Sequence, residues 1–191
     1  MRASGVRSWV LTALLVAATA GPLLAQTGVR DLAGRAVTPL DPAAPATVLL
    51  FTAVECPISD RYAPEVRRLA ARYAARGVRV WLVYPNAGET PAAVKAHADA
   101  FSYGLPVALD TARVLADRAQ ATVTPEAAVF DREGRLRYHG RIDDRYSDFG
   151  VDRPVPTTRD LDDALAAVLD GRPVVRPEAR AVGCAIVRQR P

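Results

Sequence analysis

Cysteine and histidine are scarce in this chain of 191 residues, which has two of each. The cysteines, Cys56 and Cys184, allow a single intramolecular disulfide, which excludes a small fold held together by several disulfides. The histidines, His97 and His139, lie far apart in the sequence, and four such scattered side chains do not suggest a zinc cluster. We therefore expect no bound metal and no cofactor.

A strong excess of charge of either sign is also lacking. The formal net charge is only +4, and Lys95 is the only lysine, so nearly all the basic residues are arginines. Their scattered positions argue against the concentrated basic surface of a nucleic-acid-binding protein. Half of the residues are hydrophobic, which excludes a disordered chain, and the length suits one domain with a core and a tail.

The N-terminus has the layout of a secretory signal peptide. Two arginines precede an apolar run over residues 9–20, and cleavage after Ala20 or Ala25 fits the small residues that follow. We assign residues 1–25 to the signal peptide; an uncleaved membrane anchor is the alternative, but the apolar run is shorter than the roughly 20 residues that span a bilayer. We expect an exported protein, periplasmic or extracellular, without a stable membrane span after cleavage, in a compartment where disulfides persist.

The chain is organised around a cysteine at the junction of a strand and a helix. Strand-forming residues over 47–53 lead into a turn that contains Cys56, and apolar residues at helical spacing predict a helix over 59–76, capped by Ser59 or Asp60. A helix N-terminus has unpaired N–H groups and the positive end of the helix dipole, and both lower the pKa of a cysteine. The pattern favours a nucleophilic Cys56; a buried, unreactive cysteine is the alternative.

The remaining patterns alternate between strands and helices. Two late strands are joined by so short a turn that they must be antiparallel, whereas the earlier strands are separated by helices. This order predicts an α/β domain over residues 26–171, with a mixed central sheet and helices on both faces, followed by a tail over 172–191. The other predicted strands are 78–84, 106–109, 127–130 and 136–142, and the other predicted helices are 90–103, 111–119 and 158–170.

Two short motifs mark the predicted domain. The sequence CPIS over 56–59 lies at the strand-to-helix turn, and VTP over 123–125 directly precedes the predicted hairpin. With the order of the elements, these motifs resemble the thioredoxin-like superfamily, and in particular the exported redoxins related to alkyl hydroperoxide reductase and thiol-specific antioxidants. The resemblance implies a thioredoxin-like fold, a cis bond before Pro125, and a substrate that contacts Pro57, Thr124 and Pro125; an ordinary trans proline is the alternative.

The first motif departs from thioredoxin, which has a second cysteine where this chain has Ser59. Cys56 therefore cannot form a disulfide within the motif, although Ser59 can donate a hydrogen bond to its thiolate. The pattern that precedes the reactive cysteine of peroxiredoxins is not matched either, because Leu49 and Ala53 occupy its proline and threonine positions. Peroxidase activity is thus an alternative to thiol–disulfide exchange rather than the first prediction.

Cys184 is the only disulfide partner that the chain offers to Cys56. We predict that the tail folds back over the active-site face, that Cys56 attacks a disulfide or an oxidant, and that Cys184 resolves the product. A structural disulfide that holds the tail, and two thiols that never meet, are the alternatives. Arg141, at the end of the predicted hairpin, is a further candidate for stabilising the thiolate; a solvated or salt-bridged arginine is its alternative.

The predicted activity is that of an exported thiol–disulfide oxidoreductase. Its expected partners are protein thiols or disulfides, or a small oxidant, and no nucleic acid. A thiol peroxidase and a non-catalytic redoxin-fold binding module with a structural disulfide are the alternatives. Nothing in the sequence predicts the oligomeric state.

Overall fold

The computed structural model describes residues 28–187, so the predicted signal peptide over 1–25 lies outside the described residues. The helices are α1 (Pro57–Ala74), α2 (Pro91–Ala100), α3 (Val114–Ala119) and α4 (Asp160–Leu169). The strands are β1 (Ala46–Phe51), β2 (Arg79–Tyr84), β3 (Val107–Leu109), β4 (Val123–Thr124), β5 (Glu126–Asp131), β6 (Leu136–Gly140), β7 (Tyr146–Asp148), β8 (Val151–Asp152), β9 (Glu178–Ala179) and β10 (Cys184–Ala185). None of these helices is long and apolar enough to cross a membrane.

Six strands form the central sheet, in the order β3-β2-β1-β5-β6-β9. β1, β2 and β3 run parallel, because helices cross between them, while β5 runs antiparallel to both β1 and β6. The sheet is therefore mixed, as predicted. Phe51 at the end of β1 pairs with Glu126 at the start of β5, so the turn that follows β1 lies beside the segment that precedes β5.

Both faces of the sheet are buried, since side chains along each central strand alternate between two apolar clusters. Val48 and Leu50 of β1 pack with α1 and α4 on one face. Leu49 and Phe51 pack with α3 on the other. This double burial accounts for the continuous apolar runs from which the strands were predicted.

Helix α1 begins earlier than the sequence predicts. Its N-cap is Cys56 rather than Ser59 or Asp60, and Pro57 is its first residue, where a missing N–H costs no hydrogen bond. The backbone N–H of Asp60 donates to the carbonyl of Cys56 at 3.1 Å. Serine and aspartate are the commoner caps, but a proline at the first helical position fixed the start. Cys56 therefore lies at the helix N-terminus itself.

The tail packs against the rest of the fold. β9 extends the sheet by running parallel to β6, with Gly140 opposite Ala179. β10 pairs antiparallel with β4, with Cys184 opposite Thr124. The tail thus returns to β4, and regular secondary structure continues past residue 171.

Candidate active site

The two cysteines meet where the N-terminus of α1 faces β4 and β10. Cys56 is fully buried, and its thiol donates to the carbonyl of Thr124 at 2.9 Å. Cys184 is half-buried and lies opposite Thr124 across the β4–β10 pair. Both cysteines are free thiols, and their side chains are within hydrogen-bonding reach of each other. The fold therefore brings together two thiols that are 128 positions apart in the chain.

The surroundings of Cys56 favour its thiolate. Burial raises the pKa of Cys56, but hydrogen bonds from Cys184, from the hydroxyl and N–H of Ser59 and from the Thr124 side chain outweigh it, so the pKa lies below the ordinary 9.0. The dipole of α1 acts in the same direction. The Thr124 carbonyl can only accept, so its contact with the thiol is lost when Cys56 ionises. More thiolate is thus present near neutral pH than for a free cysteine.

The pKa of Cys184 shifts the opposite way, to about 11. Burial is the largest cause, and the hydrogen bond to Cys56 and the negative charges of Cys56 and Asp60 add to it. A proton shared by the two sulfurs therefore belongs mainly to Cys184. Of the two thiols, Cys56 is therefore the one that ionises at the lower pH.

Ser59 lies in the first turn of α1, three residues after Cys56. The residue is 1% exposed, and its hydroxyl oxygen is buried without a hydrogen-bond partner among the described residues. An unpartnered buried hydroxyl is costly. The same hydroxyl contributes to the lowered pKa of Cys56, so a thiolate at Cys56 is an acceptor within its reach.

Replacing Ser59 with alanine should raise the pKa of Cys56, because the thiolate loses a donor that the thiol does not need. Iodoacetamide reacts with the thiolate, so the rate follows the fraction of Cys56 that is ionised. The pH at which Cys56 becomes reactive should therefore rise, and its alkylation at neutral pH should slow several-fold. The rate of reaction with iodoacetamide across pH measures this in a Cys184→Ser background, where only Cys56 reacts. The exposed Ser147→Ala is the matched control; equal profiles for the two serine variants would contradict the role of Ser59.

The loop before β5 carries the predicted cis bond, between Thr124 and Pro125. A buried carboxylate braces this loop: Oε2 of Glu126 accepts from the backbone N–H groups of residues 122–123 at 2.9 and 3.2 Å. Sequence reasoning missed Glu126, although a charged residue at the start of a buried strand is a recognisable signal. Contact between a substrate and Thr124, Pro125 or Pro57 stays a prediction.

Arg141 is engaged away from the thiol pair. Its Nε donates to Asp160 at 2.8 Å, and a second guanidinium nitrogen donates to Thr158 at 3.2 Å. Asp160 is buried at the start of α4, so it needs a cation as a partner. This geometry agrees with the salt-bridged alternative for Arg141 rather than with stabilisation of the Cys56 thiolate.

A hydrogen-bonded chain of three side chains supports the first turn of α1. The buried His97 contacts Asp60 Oδ1 through Nε2 at 2.9 Å and the Tyr84 hydroxyl through Nδ1 at 2.8 Å. These residues belong to three different elements, so no local sequence pattern reveals them. The chain fixes Asp60, whose negative charge contributes to the raised pKa of Cys184.

A cleft of about 470 Å³ opens beside Cys184, between the turn after β1 and the loop after β2. Its wall includes Val54, Asn86 and Glu89. Glu89 accepts from the N–H of Val54 at 2.6 Å and so braces the turn that leads to Cys56. Cys184 lines this cleft, whereas Cys56 is fully buried. Access of a reagent to Cys56 therefore requires the structure around its sulfur to open.

Three features together define a class of protein fold. They are a mixed sheet with helices on both faces, a cysteine at the N-terminus of the helix after β1, and a cis-proline loop packed against that cysteine. The protein has the thioredoxin-like fold, as predicted.

Solved structures share this fold. A hypothetical protein, SMc02350, from Sinorhizobium meliloti 1021 is 31% identical over 83% of this chain and 88% of that one, with a TM-score of 0.70. An uncharacterized conserved protein from Geobacillus kaustophilus is 28% identical over 84% and 87%, with a TM-score of 0.72. A secreted Mycobacterium tuberculosis disulfide oxidoreductase homologous to E. coli DsbE is 16% identical over 75% and 93%, with a TM-score of 0.51, which is a similarity of fold alone.

The sequence also identifies the family. The AhpC/TSA family matches residues 24–139, which is more than half of the chain. The chain therefore belongs to the AhpC/TSA family, and the resemblance to redoxins is confirmed. No curated protein matches the sequence.

Proposed function

We propose that this protein is an exported thiol–disulfide oxidoreductase in which Cys56 attacks the substrate and Cys184 resolves the product. One observation carries the proposal: two free thiols lie side by side with opposite pKa shifts, the pKa of Cys56 lowered and that of Cys184 raised. A disulfide that only holds the tail in place does not require the pKa values of its two thiols to shift in opposite directions.

In the first step the Cys56 thiolate attacks a disulfide of the substrate. A bond forms between Cys56 and one substrate sulfur, the substrate disulfide breaks, and the second substrate sulfur leaves as a thiolate with the electron pair. Ser59 stabilises the attacking thiolate beforehand. Because Cys56 is fully buried and Cys184 of the tail lies beside it, β10 moves away from β4 before this step in the proposed mechanism.

In the second step Cys184 attacks the Cys56 sulfur of the mixed disulfide. Once Cys56 is covalently bonded it carries no negative charge, so two of the causes that raise the pKa of Cys184 disappear. Cys184 therefore becomes easier to ionise only after the first step is complete. The Cys56–Cys184 disulfide forms, the substrate leaves reduced, and the same steps in reverse oxidise a dithiol.

Export and protein partners are part of the proposal. The predicted signal peptide supports export, and an oxidising compartment allows the Cys56–Cys184 disulfide to persist. The fold neighbour from M. tuberculosis is described as a secreted disulfide oxidoreductase, which supports protein thiols or disulfides as the substrates.

A redox titration tests the proposal. The protein without residues 1–25 is equilibrated in thiol buffers, and its free thiols are alkylated and counted by mass, with Cys184→Ser as the control that cannot form the bond. We expect the Cys56–Cys184 bond to form between about −120 and −270 mV, in the range of catalytic dithiols. A bond that persists below about −300 mV would indicate a structural disulfide in a non-catalytic binding module. No bond at any potential would remove Cys184 from the mechanism.

A thiol peroxidase is the second candidate, because the chain belongs to the AhpC/TSA family. It is less well supported, since Ala53 replaces the hydroxyl-bearing residue of the peroxiredoxin pattern and Cys56 is fully buried. Oxidation of Cys56 by hydrogen peroxide distinguishes the two functions. A rate far above that of free cysteine would favour the peroxidase, and an equal rate would favour disulfide exchange.

A further inference from the structure

The tail lies against β4 as a separate strand would. Cys184 pairs with Thr124, and the N–H of Ile186 donates to the carbonyl of Thr122 at 2.9 Å. β4 pairs with β10 alone in a two-stranded sheet, and Thr124 is 1% exposed. If β10 leaves, β4 becomes an unpaired strand edge, and such an edge is a template for pairing with another extended segment. The vacated edge therefore favours another extended strand.

Gly183 sets how closely this strand approaches. A Cβ at position 183 would lie 2.2 Å from the carbonyl oxygen of Thr124. This oxygen belongs to the backbone, so it cannot rotate away as the end of a side chain can. Glycine is thus the residue that allows the following Cys184 to bring its sulfur to Cys56.

Gly183 is itself buried, and the residues after the Gly-Cys pair alternate between exposure and burial. Val182 and Ile186 are buried, at 9% and 8% exposure, and each belongs to one of the two apolar clusters. Ala185 and Val187 are exposed. The strand is therefore held at three inward positions, an apolar residue, the cysteine and a second apolar residue, with a glycine before the cysteine.

We propose that residues 182–186 are an internal copy of the segment through which a substrate protein binds. The proposal rests on the thiol–disulfide exchange proposed above and names its substrate. That substrate is an extended polypeptide segment with an apolar residue, a glycine and a disulfide-bonded cysteine in succession, and a second apolar residue two positions after the cysteine. The segment replaces β10 on β4, and its cysteine takes the place that Cys184 has in the structure.

This arrangement orders the reaction. While the substrate strand occupies β4, its sulfur is beside Cys56 and Cys184 is displaced. Cys56 attacks that sulfur, which forms the mixed disulfide and releases the substrate's other sulfur as a thiolate. When β10 returns, it brings Cys184 to the mixed disulfide and displaces the substrate strand from the same edge.

Peptides test the requirement for glycine. The heptapeptide Ala-Val-Gly-Cys-Ala-Ile-Val, which is the sequence of residues 181–187, is prepared with its cysteine as a mixed disulfide with thionitrobenzoate. The full-length Cys184→Ser variant attacks the peptide sulfur through Cys56, and the released thionitrobenzoate anion is followed by its absorbance. A second peptide has alanine in place of the glycine. A third keeps the glycine and has serine in place of the alanine after the cysteine.

We expect the glycine peptide and the serine peptide to react at similar rates, and the alanine peptide to react at least about tenfold more slowly. Rates within twofold for all three would overturn the inference, and so would no reaction with any peptide while Cys56 reacts with the free aromatic disulfide reagent. In both results the proposed exchange function survives. It fails separately if Cys56 reacts with neither the peptides nor the reagent.

A variant of the chain gives a second test, in the same Cys184→Ser background. Gly183→Ala should lift the tail from β4 and so accelerate alkylation of Cys56 by iodoacetamide at least about tenfold. Gly88→Ala is the matched control, because a Cβ at position 88 meets open space. Equal alkylation rates for the two glycine variants would show that the close approach at Gly183 does not hold the strand.

Discussion

The Cys184→Ser variant should retain a mixed disulfide that the wild-type protein releases. Incubated with oxidised glutathione, the variant should accumulate a glutathione adduct on Cys56. In the wild-type protein the adjacent Cys184 resolves the same adduct and leaves the Cys56–Cys184 disulfide. Because a neighbouring thiol reacts with the advantage of an intramolecular step, the adduct should persist at least about a hundredfold longer in the variant. Intact mass after acid quenching measures its lifetime.

Cys56→Ser is the control for the site of attack. Its remaining thiol, Cys184, is half-buried and has no helix N-terminus to lower its pKa. An adduct should therefore form on it much more slowly than on Cys56 in the reciprocal variant. Equal rates of adduct formation, or an adduct that leaves the Cys184→Ser variant as fast as it leaves the wild-type protein, would contradict the assigned roles.

The parts of the site that sequence predicts are those that local pattern determines. A buried strand, a turn and an amphipathic helix place Cys56 near a helix N-terminus before any tertiary contact is known. Even here the sequence favours Ser59 or Asp60 as the cap, whereas Pro57 at the first helical position makes Cys56 the cap. The cis bond between Thr124 and Pro125, by contrast, is expected only from the resemblance to redoxins, because an isolated Thr-Pro pair does not distinguish a cis from a trans bond.

The parts that sequence does not predict depend on contacts between distant segments. Arg141 lies at the expected end of its strand, but its direction is set by the buried Asp160 of α4. Gly183 is an ordinary glycine in a tail until the Thr124 carbonyl is placed against it. The histidine chain behind α1 likewise joins three elements. A single sequence contains no record of such pairings.

Gly140→Ala should destabilise the protein by about 2–4 kcal/mol, since two separate penalties add. Gly140 has φ +139°, a backbone conformation that residues with side chains rarely adopt. A Cβ there would also lie 2.0 Å from the carbonyl oxygen of Ala179, so β9 must move away from β6. The N–H of Arg141 donates to that same oxygen at 3.0 Å and would lose its partner. Urea denaturation measures the loss of unfolding free energy.

The Gly171→Ala variant measures the cost of backbone strain without a steric clash of the added Cβ. Gly171 also has a positive φ, +67°, but a Cβ there meets open space, so it should cost only about 1 kcal/mol. If Gly140→Ala costs no more than this control, the close approach of β9 does not stabilise the fold.

The same pair of variants connects the sheet edge to the thiol. β9 ends five residues before Cys184, so displacing β9 should release β10 and expose Cys56 without unfolding the rest of the protein. Both variants are made in a Cys184→Ser background, and the rate of alkylation of Cys56 is measured. In Gly140→Ala this rate should rise by more than the variant's loss of unfolding free energy explains, because the tail opens locally before the whole domain unfolds. In Gly171→Ala the acceleration should match the loss of stability alone. If both variants follow global stability, the tail leaves β4 only when the whole domain unfolds, and the first step of the proposed exchange has no route to Cys56.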